Sequence, residues 1–134
     1  MSRSGYSEDC DGWALIRWRG AVTAATKGRR GQAFLVEMLA ALDALPDKRL
    51  SADLLLDGDN CCAMGAVAKA RGIDVSPAAV DAYDRAAVAQ IFDIAPALAA
   101  EIAYINDDGW RLANDNERWG RVRAWVVSQL EKPQ

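Results

Sequence analysis

Histidine is missing from all 134 residues. Its absence removes the commonest general base, the commonest metal ligand and the side chain that titrates near neutrality. Cysteine is scarce, with three residues, two of them adjacent as Cys61 and Cys62. An odd count suits a reducing compartment better than a disulfide framework, and the spacings of a zinc site are missing too. No apolar run approaches the ~18 residues of a spanning helix. The polar start "MSRSGYSEDCDG" does not read as a secretory signal. The expectation is a cytoplasmic protein with no membrane, metal or cofactor in its function.

A strong excess of basic charge is lacking as well. The formal charge is −3 and the isoelectric point about 4.9, which argues against a dedicated nucleic-acid binder. A local basic patch stays compatible with that balance. What the chain does have is apolar content: 51% hydrophobic residues with five tryptophans. That is enough for one globular domain burying roughly two-thirds of its unfolded surface.

Helical periodicity dominates. In "GWALIRWRGAVTAATK" the residues Leu15, Trp18, Val22 and Ala25 make a core-facing stripe, with Arg17 and Arg19 beside it. Asp11 can cap its start and Gly28 can end it. "GQAFLVEMLAALDAL" gives the strongest helix, with Leu35, Met38, Leu39, Leu42 and Leu45 on one face and Pro46 as its stop. The short link "KGRRG" predicts an antiparallel hairpin of these two helices. "RLSADLLLDGDN" reads as an extended connector with at most one short strand, because no second alternating run follows Asp57-Gly58.

Small residues on nearly every side make "CCAMGAVAKARG" a central helix, ended by Gly72 and capped by Asp59 or Asn60. Ser76-Pro77 offers a further helix start. "RAAVAQIF" and "PALAAEIAYI" are short helical stretches, and "NDDGWRLAND" reads as loop. Asn114 and Glu117 form a capping-box variant for the last helix, whose stripe is Trp119, Val122, Val126 and Leu130. The expected fold is all-α: a single compact domain over 1–134 of about six helices, with a polar arm at 1–10. Trp18, Leu39 and Val126, central to three stripes, are expected to be buried together.

Several chemistries fail on inspection. "TKGRRGQAFL" has glycines around a basic cluster, but a Walker loop needs Lys-Ser/Thr after its last glycine and a strand before it. A looser anion or nucleic-acid contact survives at Lys27, Arg29 and Arg30, beside free N–H groups expected on Gln32, Ala33 and Phe34. The plainer reading is an exposed turn with solvated charges, and the sequence favours it. "VAQIFDIAPALAAEI" has the rhythm of a helix-turn-helix, yet its second helix offers alanines and Glu101 where DNA reading needs cations. "DGDN" at 57–60 lacks the glycine and glutamate of a calcium loop. Cys61-Cys62 has no histidine partner, and no carboxylate pair stands in differing environments. The chain does not read as an enzyme.

The segment "GYSEDCDGWALIRWRG" is the better candidate. Tyr6, Trp13, Arg17 and Arg19 are residue types that dominate interface hot spots. The same composition also occurs at ordinary helix edges, where Trp18 is core and arginines lie along the surface.

The blocks "SGYSEDCDGWALIRWRGAV", "RGQAFLVEMLAALDALPDKRL", "GAVAKARG", "YINDDG" and "RWGRVRAWV" resemble a family of small uncharacterised phage- and prophage-associated bacterial proteins. The resemblance covers most of the chain and implies a phage setting without an assigned activity. Its pattern leads one to expect a single cysteine where this chain has Cys61-Cys62, and glycine where it has Asp93. The functional expectation is a small non-enzymatic interaction protein acting on a host protein or nucleoprotein complex. Such a target is a defence or nucleic-acid-processing complex, inhibited in an anti-CRISPR-like manner. The alternative is a weak nucleic-acid-associated or regulatory module using the basic loop at 27–31.

Overall fold

A computed structural model describes residues 12–108 and 114–131, with the side chains of 12–15 and of Asp108 outside the description. Six α-helices follow in order: α1 Gly12–Lys27, α2 Arg29–Ala44, α3 Ala63–Arg71, α4 Arg85–Phe92, α5 Pro96–Ala103 and α6 Asp115–Gln129. A π turn, Tyr104–Asp108, continues α5. The only described strands are β1 Leu56–Asp57 and β2 Asn60–Cys61, which pair antiparallel around Gly58 and Asp59. The fold is mostly α, as expected. The hairpin exceeds the single strand expected, because two-residue strands pair through their backbones and leave no alternating pattern to read.

The core gathers around α2 and α3. Leu35, Met38 and Leu42 of α2 are fully buried, and residues 63–68 of α3 are buried on every side. Small side chains let neighbours close on α3: a Cβ at Gly65 would lie 1.9 Å from the Leu55 carbonyl oxygen. Gly72 ends α3 at φ 72°, the left-handed conformation that costs glycine least. Val122 and Val126 bring α6 into the same core. Trp18 is buried but lies outside that contiguous cluster, and Leu39 is half-buried at its edge. Of the three residues expected together, only Val126 sits at the centre.

Other boundaries shift for local reasons. Ser76-Pro77 opens a single turn and no helix, since Asp74 accepts from the Ser76 N–H and the chain turns again before α4. Asp84 caps α4 by accepting from the Ala87 N–H. Asn114 caps α6 as expected, accepting from the Glu117 N–H at 2.9 Å, while the return bond to Glu117 Oε1 comes from its side-chain Nδ2 in place of the backbone N–H of a capping box. Asp93 ends α4 at φ 57°, in the left-handed conformation. Beyond it the chain turns through 109° into α5. No single helix among the described residues is long and apolar enough to cross a membrane.

Candidate interaction site at the basic corner

Gly28 alone separates α1 from α2, so the expected five-residue link shrinks to one. Arg29, Arg30 and Gly31 already belong to α2. The expected free N–H groups therefore move upstream, because the Gln32 N–H is bonded to the Gly28 carbonyl at 2.9 Å. Gln32 has a different task. Its Nε2 donates to the carbonyls of Thr26 at 2.8 Å and Gln129 at 2.9 Å, while its Oε1 accepts from the Glu131 N–H. One side chain thus clasps the ends of α1 and α6 to the start of α2. Gly31 allows the approach: a Cβ there would lie 1.8 Å from the Ala25 carbonyl oxygen.

Lys27, Arg29 and Arg30 stand at this corner, and Arg17 and Arg19 lie two to three helical turns back along α1. Arg17, Arg19, Lys27, Arg29 and Arg30 are all exposed. Ile16 stands among them at 60% exposure, on the same side of α1 as Arg19. Trp13 lies in the first turn of α1, but its side chain, like all of Tyr6, is outside the described residues. The structure thus brings Arg17 and Arg19 onto one helix with Lys27, and leaves the aromatic half of the candidate set undescribed.

Pairing sets these cations apart. Arg30 meets Asp93 at 3.3 Å, both well exposed, and such a contact adds little stability. Arg17, Arg19, Lys27 and Arg29 form no ion pair among the described residues. Elsewhere Arg49, Arg71, Arg118 and Arg123 close on carboxylates, and Lys48, Lys69 and Arg85 on backbone carbonyls. The regional charge agrees. Residues 12–36 hold five basic and no acidic residues, a balance of +5, which leaves eleven basic and nineteen acidic residues, a balance of −8, in the rest. A whole-chain value of −3 conceals this segregation, although a count by region would have found it.

A groove of about 220 Å³ opens beside the corner, between α1, the start of α2 and the start of α5. Ile94 and Leu98 lie behind it, Ala24 and Gly28 form one side, and Arg29 and Arg30 stand at its edge. The α2 and α5 termini both lack a side-chain cap, whereas α3, α4 and α6 each have one.

No protein-family model, curated protein or solved structure matches the chain.

Three shifted titratable groups, Asp107, Cys61 and Cys62, lie elsewhere, around the π turn and the start of α3. Asn106 accepts from the Ala63 N–H at 3.1 Å and donates to the Ser51 carbonyl at 2.9 Å and to Asp107 Oδ1 at 2.6 Å. Its own carbonyl accepts from Arg118 Nε at 2.9 Å. Asp107 also accepts from the N–H of Asp53, a residue held at φ 70°. Burial pushes the Asp107 carboxyl above its ordinary range. Burial likewise raises the Cys61 thiol and pushes Cys62 up to about 12. Cys62, and not Asp59 or Asn60, caps α3, its Sγ accepting from the Gly65 N–H. π turns recur at functional sites, but here the bonds run mainly to backbone groups of neighbouring segments. The network holds the fold together.

Proposed function

We propose that this chain is a small non-enzymatic interaction protein that docks its basic corner on an acidic surface of a macromolecular complex. The segregation of charge carries the reading: a +5 segment, four of whose cations form no ion pair among the described residues, on a body of −8. An exposed Ile16 beside Arg17 and Arg19 adds an apolar anchor to that charge. Arg is enriched at hot spots, and paired patches steer encounter. The shifted groups, half-buried Asp107 and buried Cys62, are bonded to backbone N–H groups, which favours a structural use over a catalytic one. The phage-family resemblance points to a host defence or nucleic-acid-processing complex as the target, with inhibition as the outcome.

Capture from the natural host, with mass-spectrometric identification, tests the reading when the wild type is compared with Arg17→Glu/Arg19→Glu. The identified partner should bind the wild type and lose more than about 1 kcal/mol with the variant. Undiminished capture by the variant would end the reading.

One observation favours a second reading, contact with nucleic acid: Lys27, Arg29 and Arg30 fall within four consecutive positions around the joint. Phosphate contacts release counterions, so affinity would fall steeply with salt. Replacing all three by alanine would then flatten that slope.

A further inference from the structure

We propose that two copies of this chain exchange α1: Gly28 straightens, α1 and α2 run on as one helix, and each α1 packs on the other copy's α5. The partner is this chain itself, and the inference does not depend on what the basic corner binds.

Gly28 is already close to helical. Its N–H donates to the Ala24 carbonyl at 3.0 Å and its carbonyl accepts from the Gln32 N–H at 2.9 Å, both at the four-residue spacing of an α-helix. Its φ of −64° is helical too, and only its ψ of 160° departs. One torsion therefore makes the bend. Turned to the helical value, it would give the N–H groups of Arg29, Arg30 and Gly31 the carbonyls of Ala25, Thr26 and Lys27. As the first turn of α2 these amides have no such acceptor within their own helix.

The body holds α1 lightly. Among its described side chains Trp18 and Thr26 are buried, Val22 and Ala25 half-buried, and the rest exposed. It packs on α5 and on the start of α2, and Trp18 lies outside the contiguous core. Exchange between two copies repeats those contacts, so the two forms differ at the joint. There Gly31 suits only the bend: a Cβ would lie 1.8 Å from the Ala25 carbonyl oxygen. A continuous helix takes alanine at 28 and 31 and prefers it to glycine. Gln32 Nε2 also holds the bend through the Thr26 carbonyl at 2.8 Å, an acceptor that Arg30 would claim in the straight form. Two glycines and one side-chain bond thus favour the monomer, and three backbone bonds favour exchange.

Sedimentation velocity of the whole chain, equilibrated across a range of concentrations, tests this. Gly31→Ala, which the bend cannot seat, and Gly28→Ala, which favours helix, should each tighten the dimer at least about tenfold over wild type. Should Gly31→Ala fail to fold, Gly28→Ala carries the comparison. Arg29→Pro should hold the monomer, because proline suits the first position of α2, keeps Gly28 extended and cannot continue a helix from α1. Gly20→Ala, where a Cβ meets nothing within 4 Å, should leave the dimer constant unchanged. Ala24→Cys/Ala95→Cys in a Cys10→Ser background then reports the exchange, since both residues line the groove between α1 and α5. A short bismaleimide should join them within one chain in the monomer and between chains in the dimer. Any of three results would overturn the proposal: Gly28→Ala staying monomeric at millimolar concentration, Arg29→Pro dimerising as tightly as the alanine variants, or a dimer cross-linked only within its chains.

Discussion

Arg118 donates its Nε–H to the carbonyl of Asn106 at 2.9 Å, joining α6 to the π turn across an interior where Arg118 is only 4% exposed. Its Nη1 also donates to the Leu50 carbonyl at 3.1 Å and to Asp115 at 2.8 Å. A buried guanidinium on backbone carbonyls leaves those carbonyls without partners when it is removed.

Arg118→Ala should therefore cost on the order of 3 kcal/mol, from two orphaned carbonyls at about 1–3 kcal/mol each. Urea unfolding measures it. A loss below about 0.5 kcal/mol would place Arg118 outside the structural network.

The helical glycines divide into two kinds. Gly31→Ala and Gly65→Ala force a Cβ to within 1.8 Å and 1.9 Å of backbone oxygens and should each cost about 1–3 kcal/mol. Gly20→Ala and Gly120→Ala meet nothing within 4 Å and should each gain about 0.5–1 kcal/mol. Thermal unfolding of the four variants separates the pairs, and equal effects would remove the close approaches.

Stability should depend on pH in two opposite ways. Asp107 is raised by burial, so the folded state prefers its acid form; its contribution is full below the unfolded value and is lost as pH rises through the folded one. Glu37 is lowered by its bond to Arg71, so its contribution is present above the unfolded value and is lost as pH falls through the folded one. Asp107→Asn keeps an acceptor for the Asp53 and Asn106 donors. It should be more stable than the wild type at neutral pH and should flatten the slope above the ordinary carboxylate range. Denaturant midpoints from pH 3 to 7 report both.

The interior thiols should be inert. With Cys62 at about 12 and Cys61 raised by burial, thiolate is scarce, and both side chains are buried. In a Cys10→Ser background, a thiol reagent should react only as fast as the protein unfolds. A fast stoichiometric phase in native buffer would contradict this.

Signals that are local were legible in the sequence. Gly72 and Asn114 cap their helices as read, and "RAAVAQIF" is α4 residue for residue. Signals that need tertiary partners were not. Arg29 and Arg30 start α2 on its exposed face, where no apolar period marks them. The π turn depends on Asn106 finding Ala63, Ser51 and Arg118, which lie far away in sequence. Leu39 looked central because it shares a stripe, yet the packing of α6 and α3 leaves it at the edge. At the site, the cations were visible as residues. Which of them pair with a carboxylate among the described residues, and the clasp by Gln32, required the fold.

Gly28 has a consequence for how this chain tolerates change. A single residue joins two 16-residue rods, so a change of length there re-aims the whole of α1 and the three cations it carries, Arg17, Arg19 and Lys27. Side chains along the exposed face of α1 can be exchanged without moving the rod. A library of one-residue insertions and deletions, sorted for folded protein, should therefore keep changes at Gly58–Asp59, the hairpin tip, and discard those at Gly28.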